Sequence, residues 1–149
     1  HTPMPAGLKL DGMSLVPLLK GASLPTRALY WHFPAYLQSY GAGHTLEKRD
    51  PMFRSRPVVF IRKGPWKLME FFESGDLELY HLDEDIGETQ NLAAQHPDKA
   101  KALHAALKQW QQSMGAPIPT KPNPSFNAIE EKRAINQVID RRRALKQVP

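Results

Sequence analysis

Two stretches of the chain alternate in the manner of half-buried strands. Residues 28–33 read ALYWHF, and residues 58–82 read VVFIRKGPWKLMEFFESGDLELYHL, broken at Lys63-Gly64-Pro65 and at Ser74-Gly75-Asp76. Gly supplies the backbone angles that tight turns need, so 58–82 predicts an antiparallel meander of three strands. The aromatic run at 28–33, bounded by Pro25 and Pro34, predicts a fourth strand at the start or edge of the same sheet. Strand alternation puts Tyr30 and His32 on one face and Trp31 and Phe33 on the other. The period then changes from two to 3.6. Ala100, Leu103, Leu107, Trp110 and Met114 recur at helical spacing between Pro97 and Gly115, which stand where start and stop signals belong. Burying Leu103, Leu107, Trp110 and Met114 contributes on the order of 1.5–3 kcal/mol per side chain, which makes this helix a cover for one sheet face.

The remaining segments are less regular. Residues 8–21, LKLDGMSLVPLLKG, predict a turn at Asp11-Gly12 and a short apolar connector that Pro17 and Gly21 keep from growing into a long helix. From Leu37 to Pro57 no period survives. A loop of that length inside a compact chain is expected to have a function. Residues 116–127, APIPTKPNPSFN, predict an extended course, and Ile129, Ile135, Val138, Ile139 and Leu145 allow a second, weaker helix over 128–147. The expected fold class is α+β: an antiparallel sheet of about four strands covered by one long helix, with an irregular N-terminal connector and a Pro-rich C-terminal extension.

Composition narrows the chemistry. The 149 residues include no cysteine, which removes disulfides, thiolate metal sites and a cysteine nucleophile. The net charge of +5 suggests nucleic acid only until it is located. Residues 121–149 hold seven Lys/Arg against three Asp/Glu, so +4 of it lies in the tail, where Phe126 is the sole aromatic. A nucleic-acid groove needs basic surface interleaved with aromatics, so no nucleic-acid partner is expected. No apolar run is long enough to span a membrane. The opening HTPMPAGLKLDG has neither initiator methionine nor signal-peptide features, and reads as the start of an excised piece.

The order LDGMSLVPLLKG, ALYWHFPAY, VVFIRKGPWKLMEFFESGDLELYHLDEDIGETQNLA, then a helix ending WQQSMGA and KPNP, resembles the C-terminal part of the arylsulfatase-type sulfatases, from about Leu10 to Phe126. The most specific elements are IRKGPWKL and ELYHLDEDIGETQNLA at this spacing. The resemblance implies a C-terminal subdomain at 27–116, a connector at 1–26 from a preceding catalytic domain similar to alkaline phosphatase, and an extension and basic tail at 117–149. It implies a secreted or periplasmic parent that hydrolyses sulfate esters of sulfated sugars or aryl sulfates. That parent's formylglycine, made in a C/S-x-P-x-R motif, and its calcium are expected in the preceding domain. With no cysteine here, and with SLPTR at 23–27 read as the nearest approach to the serine form but at the wrong spacing, no catalytic residue, metal ligand or cofactor is expected in this chain. Its partners are then the catalytic domain and the sulfated substrate. A stand-alone carbohydrate- or protein-binding module is the alternative.

Four residues are candidates for substrate contact: His32, Tyr36, His44 and Arg62. His32 stands at a strand end before the long loop, where it donates a hydrogen bond to a sulfated substrate or, on a structural reading, to a backbone carbonyl. Tyr36, Tyr40 and His44, with Lys48, Arg49, Arg54 and Arg56, combine flat rings that suit sugars with cations that suit sulfate; the alternative is a solvated charge cluster. Arg62 clamps a sulfate, or stacks on a ring or pairs with a carboxylate, the latter account being favoured for Arg62, Trp66 and Lys67 alike. His81 is read as capping a turn. Asp85 and Glu88 have the spacing of a capping box, favoured over a calcium site. His96 and His104 receive no role.

Overall fold

The structure is a computed structural model that describes residue 7 and residues 12–38, 53–121 and 123–146. Four strands form one antiparallel sheet: β1 (Ala28–Phe33), β4 (Val58–Lys63), β5 (Trp66–Phe71) and β6 (Leu77–His81), in the order β1-β4-β5-β6. The meander and the fourth edge strand are as the alternation predicts. Between them, β2 (Leu37–Gln38) pairs with β3 (Phe53–Ser55) in a small two-stranded sheet that no sequence period announces. Two helices matter to the architecture, α2 (Pro97–Met114) and α3 (Ala128–Lys146); α1 (Val16–Leu19) is a single turn in the connector, with Pro17 in its first turn. The weaker second helix thus forms, opened by Asn127, whose Oδ1 accepts the amides of Ile129 and Glu130.

The β4–β5 turn is set by two residues. Gly64 takes φ +60 and Pro65 has a ring-fixed negative φ, the sign pattern of a type II′ turn whose twist matches the flanking strands. This pins Lys63 opposite Trp66, and the rest of the register follows in steps of two. At the next turn Gly75 has φ +72, and Phe71 and Asp76 close it through the Phe71 amide and the Asp76 carbonyl.

Register divides the sheet into two unlike faces. On one, Val59, Ile61, Leu68 and Leu79 are fully buried beneath Ala100, Leu103 and Leu107 of α2, and Tyr30 stacks flat on Trp110 with centroids 4.8 Å apart. On the other, Val58, Met69, Tyr80 and Leu82 form a second, thinner cluster flanked by Phe60 and Phe71. The helix ends as predicted, with Gly115 in the left-handed region at φ 58 and the Ala116 amide reaching back to the Gln111 carbonyl. One expected core residue is not in the core: Met114 is 62% exposed. Trp110 already meets Tyr30 on β1, the last strand of the sheet, so a residue one turn further along the helix has no strand beneath it. Gln111 is buried in that turn instead.

Glu70, nearly buried on the covered face of β5, is held by α2. Lys108 Nζ lies 2.5 Å from its Oε1, and His104 Nε2 lies 3.3 Å from its Oε2. A carboxylate placed there without the Lys108 cation would be costly, so the Glu70–Lys108 pair fixes the axial position of the helix as well as its face. The expected consequence separates the two methionine-and-leucine positions of the stripe. Leu107→Ala should lower stability by about 2–5 kcal/mol in urea unfolding, while Met114→Ala should change it by less than about 0.5 kcal/mol; equal losses would mean that α2 does not sit on the sheet in this register.

Candidate substrate-facing surface

Of the four candidates, His32 lies on the α2 side of β1. Its Nε2 donates to the Pro117 carbonyl at 2.7 Å, and its ring meets Phe72 edge-on at 5.4 Å. Its Nδ1 is buried, with no partner among the described residues. The backbone-carbonyl arrangement considered for this residue is therefore present, and it ties the end of β1 to the segment that follows α2.

Tyr36 stands beyond Pro34, where the chain leaves the sheet. Its hydroxyl donates to Glu73 Oε1 in a short hydrogen bond, and its ring packs against Phe53 of β3 at 4.8 Å. Arg56 completes the group: Nη1 is 2.8 Å from Glu73 Oε2, Nη2 is 3.5 Å from Glu131 Oε1 on α3, and the guanidinium lies 5.7 Å from the Phe53 ring centroid. Four separate pieces of chain, the β1 exit, β3, the β5–β6 turn and α3, thus meet at one carboxylate-guanidinium pair. Partial removal from water, then the acceptor Glu73 and its charge, push the Tyr36 phenol up to about 12. At neutral pH Tyr36 is a neutral hydrogen-bond donor, not a nucleophile.

Arg62 is exposed at the end of β4, on the face away from α2, with its Nε 3.4 Å from the Gly64 carbonyl. Its cross-strand neighbour Lys67 takes the structural part foreseen for this hairpin: Nζ is 2.6 Å from Glu88 Oε1 and lies 4.6 Å from the Phe60 ring centroid. Trp31 stacks on the same Phe60 at 4.8 Å, so a ring-ring-cation-carboxylate row crosses this face from β1 to the acidic turn. Glu88 is the one non-glycine residue among those described with positive φ, at 54. His44 and Tyr40, with Lys48 and Arg49, lie outside the described residues; so does the side chain of Arg54. His32, Tyr36 and Arg62 are not brought together at a single point: His32 faces α2, Tyr36 faces Glu73, and Arg62 lies at the opposite end of β4 from Val58.

The acidic turn behaves as a cap, by a different route from the capping box. Asp85 Oδ2 accepts the amides of Thr89 at 2.7 Å and Gln90 at 2.9 Å, and Oδ1 accepts the Thr89 hydroxyl at 3.0 Å. The Gln90 amide, followed by the Thr89 groups, holds the Asp85 carboxyl below its usual range. Glu88, the expected second arm, turns to Lys67 instead. His81 supports this turn through its carbonyl, which accepts the amides of Glu84 and Asp85, while its ring packs edge-on against Trp66. Asn91 is a functional side chain that the sequence reading passed over. Its Oδ1 accepts the Leu79 and Ala93 amides and its Nδ2 donates to the Leu77 carbonyl, so that it closes the outer edge of β6. The signal was available as an Asn two residues past Thr89 at the close of the acidic turn, a position suited to side-chain mimicry of backbone.

One expectation about the nucleophile motif needs correcting. Ser23, Pro25 and Arg27 do stand at the S-x-P-x-R spacing. In the structure they belong to the extended stretch before β1, with Ser23, Pro25 and Arg27 exposed, and no group of three or more His, Asp or Glu that could hold a metal occurs among the described residues.

The similarity to known proteins falls on this same body. A sulfatase of Formosa agariphila is 29% identical over 126 residues, which cover 77% of this chain and 21% of that protein. The sequence relative is a sulfatase. The chain spans about a fifth of its length. No family model matches. A structure of a candidate sulfatase from Bacteroides thetaiotaomicron superposes over 80% of this chain and 24% of its own, with a TM-score of 0.50 and 21% identity. It shares the fold. Another solved structure, in complex with its substrate D-glucosamine-2-N,6-O-disulfate, aligns over 74% of this chain and 21% of its own with 25% identity and a TM-score of 0.49. The resemblance of the motifs to part of a sulfatase is thus matched by a sequence relative, and the α+β fold by a solved structure.

The raised Tyr36 phenol makes a titration prediction. Because its folded value lies above the ordinary value of about 10, the folded state holds the proton more tightly, and stability falls as pH rises from about 10 to about 12. Tyr36→Phe should flatten that part of the stability profile relative to the parent, and Glu73→Gln should move the phenol back toward 10 in absorbance titration at 295 nm. An unchanged titration in Glu73→Gln would show that the hydrogen bond is not formed.

Proposed function

We propose that this chain is the C-terminal part of a secreted or periplasmic sulfatase and that it borders the cleft in which a sulfate ester of a sugar or an aryl alcohol is hydrolysed. The observation that carries the reading is the sequence relationship over 126 residues to one portion of a sulfatase. The side chains offered for substrate contact are Tyr36, whose hydroxyl donates to a sulfate or sugar oxygen where Glu73 yields its hydrogen bond, and Arg62, as an exposed cation that can pair with sulfate bidentately. His44 is assigned the same role, and His32 joins them where Pro117 yields its hydrogen bond. Trp31 and Phe33 add exposed ring faces on the same strand.

Calcium and formylglycine are the groups that such an enzyme would use. The described residues do not suit them: the one tightly organised carboxylate of the acidic turn, Asp85, is taken by backbone amides and a hydroxyl, and Ser23 lies on an exposed extended segment without clustered carboxylates. The chemistry is therefore assigned to residues of a preceding domain, with this chain positioning substrate. The alternative, a carbohydrate- or protein-binding module acting alone, draws on the exposed aromatic side of β1.

The 149-residue chain by itself should show no turnover of an aryl sulfate, with or without calcium. Turnover that disappears in Ser23→Ala would move the nucleophile into this chain and overturn the assignment. In the intact enzyme Arg62→Ala should raise KM for a sulfated substrate about tenfold at constant melting temperature, as expected for loss of one charge-assisted contact. Unchanged kinetics would remove Arg62 from the surface.

A further inference from the structure

Residues 121–149 carry +4 of the net charge of +5, and neither the sheet nor the contacts offered to substrate use it. Most of that charge lies on α3, whose sequence AIEEKRAINQVIDRRRALK holds six Lys/Arg and three Asp/Glu. The helix is one-sided. Ile135, Val138 and Ile139 are half-buried together with Glu131, whereas Lys132, Arg133, Asn136, Gln137, Arg141 and Arg143 are exposed. Helical spacing sets the exposed groups in two neighbouring rows, Lys132–Asn136–Asp140–Arg143 and Arg133–Gln137–Arg141. Each row opens on a cation, passes through an amide and closes on an arginine. In the first, Asp140 Oδ1 lies 3.8 Å from Arg143 Nη1, a loose pair on the surface.

Structural uses do not account for this face. The macrodipole favours cations in the last turn of a helix, but Lys132 and Arg133 stand in the second. Among the described residues Lys132, Arg133 and Arg141 form no ion pair with a carboxylate. A helix that lies on lipid turns its apolar side to the bilayer, and here the apolar side is the half-buried one, opposite the cations. A groove for single-stranded nucleic acid adds rings on which bases stack, and α3 has none. Cations interleaved with amides suit an anion that also carries hydroxyls, since Lys and Arg pair with sulfate while Asn and Gln exchange hydrogen bonds with sugar hydroxyls. From Arg133 to Arg141 the axial rise is about 12 Å, longer than one sugar ring, so a ligand that meets both ends is a chain of sugars. The place of the helix agrees. Glu131, next to Lys132, lies 3.5 Å from Arg56, which also holds Glu73, the acceptor of the Tyr36 hydroxyl. The start of α3 is therefore tied to the group that contains Tyr36.

We infer that the exposed face of α3 is an accessory binding surface for a sulfated polysaccharide, meeting sulfates at Lys132 and Arg133 and again at Arg141 and Arg143, and hydroxyls at Asn136 and Gln137. This rests on the proposed sulfatase reading and gives such an enzyme a hold on a polymeric substrate outside its cleft.

The test uses the full-length polypeptide that carries this chain, with chondroitin sulfate as the probe in calorimetry and 4-nitrophenyl sulfate as the small substrate. Replacing Lys132, Arg133, Arg141 and Arg143 together by alanine should raise the dissociation constant for chondroitin sulfate at least about tenfold and flatten its salt dependence. Turnover of 4-nitrophenyl sulfate should stay unchanged. Alanine is the strongest helix former, so α3 keeps its helix in that variant; Arg141→Glu with Arg143→Glu makes the same decision if the fourfold variant does not fold. Asn136→Ala with Gln137→Ala should weaken the polymer about fivefold with no change of charge, an effect that a merely electrostatic surface would not show. Absence of chondroitin sulfate binding, or binding that the fourfold variant leaves intact, would overturn the inference. Double-stranded DNA or phosphatidylserine vesicles held as tightly by the same four cations would overturn it in favour of a general anion surface. Binding through α3 by a full-length protein that hydrolyses no sulfate ester would remove the sulfatase reading and leave the surface standing.

Discussion

Everything else in this structure depends on α2 lying across the face made by Val59, Ile61, Leu68 and Leu79. A four-stranded antiparallel sheet needs its apolar face covered, and the stripe of Ala100, Leu103 and Leu107 provides the cover. Three further contacts fix its placement. Tyr30 stacks on Trp110 at one end, Glu70 holds His104 and Lys108 in the middle, and Trp66 meets the His96 ring at the start of the helix. The segment after the helix is delivered to Pro117, where His32 receives it.

Covering one face so completely fixes what the other can do. The second face buries only a central band, and toward β1 it passes through the Phe60–Trp31 stack to exposed rings. Lys67 and Glu88 stiffen the middle of that face, while the Tyr36–Glu73–Arg56–Glu131 group gathers the β1 exit, β3, the β5–β6 turn and the first turn of α3. These contacts give a rigid body whose open side carries rings, a phenol and a guanidinium. Such a surface can orient a sulfated ligand or receive another domain.

The sheet was legible because alternation, the Gly64-Pro65 turn and the Gly75 turn each act over a few residues, and the helix because its stripe has one period from Ala100 to Trp110. Met114 misled for a reason outside local pattern: periodicity says which way a side chain points, not whether a strand lies beneath it. The β2–β3 pair was hidden because two- and three-residue strands carry too little pattern to be read. The site was less legible than the fold. Tyr36 could be proposed from its type and place, but its partner Glu73 is 37 residues away in sequence, and Arg56 bridges to Glu131 across 75 more. His32 illustrates the opposite limit, since its partner is a proline carbonyl, a group that no side-chain pattern announces. The functional class rests on motif order and on the sulfatase relative rather than on the geometry of any one residue.

The most direct measurement is of the coding sequence that precedes His1 in the source genome, read together with the mass of the protein made from it. The expected result is a continuous reading frame several times the length of this chain, with a C/S-x-P-x-R motif upstream and a product of matching mass. A start codon immediately before His1, with a product near 16.9 kDa, would contradict it.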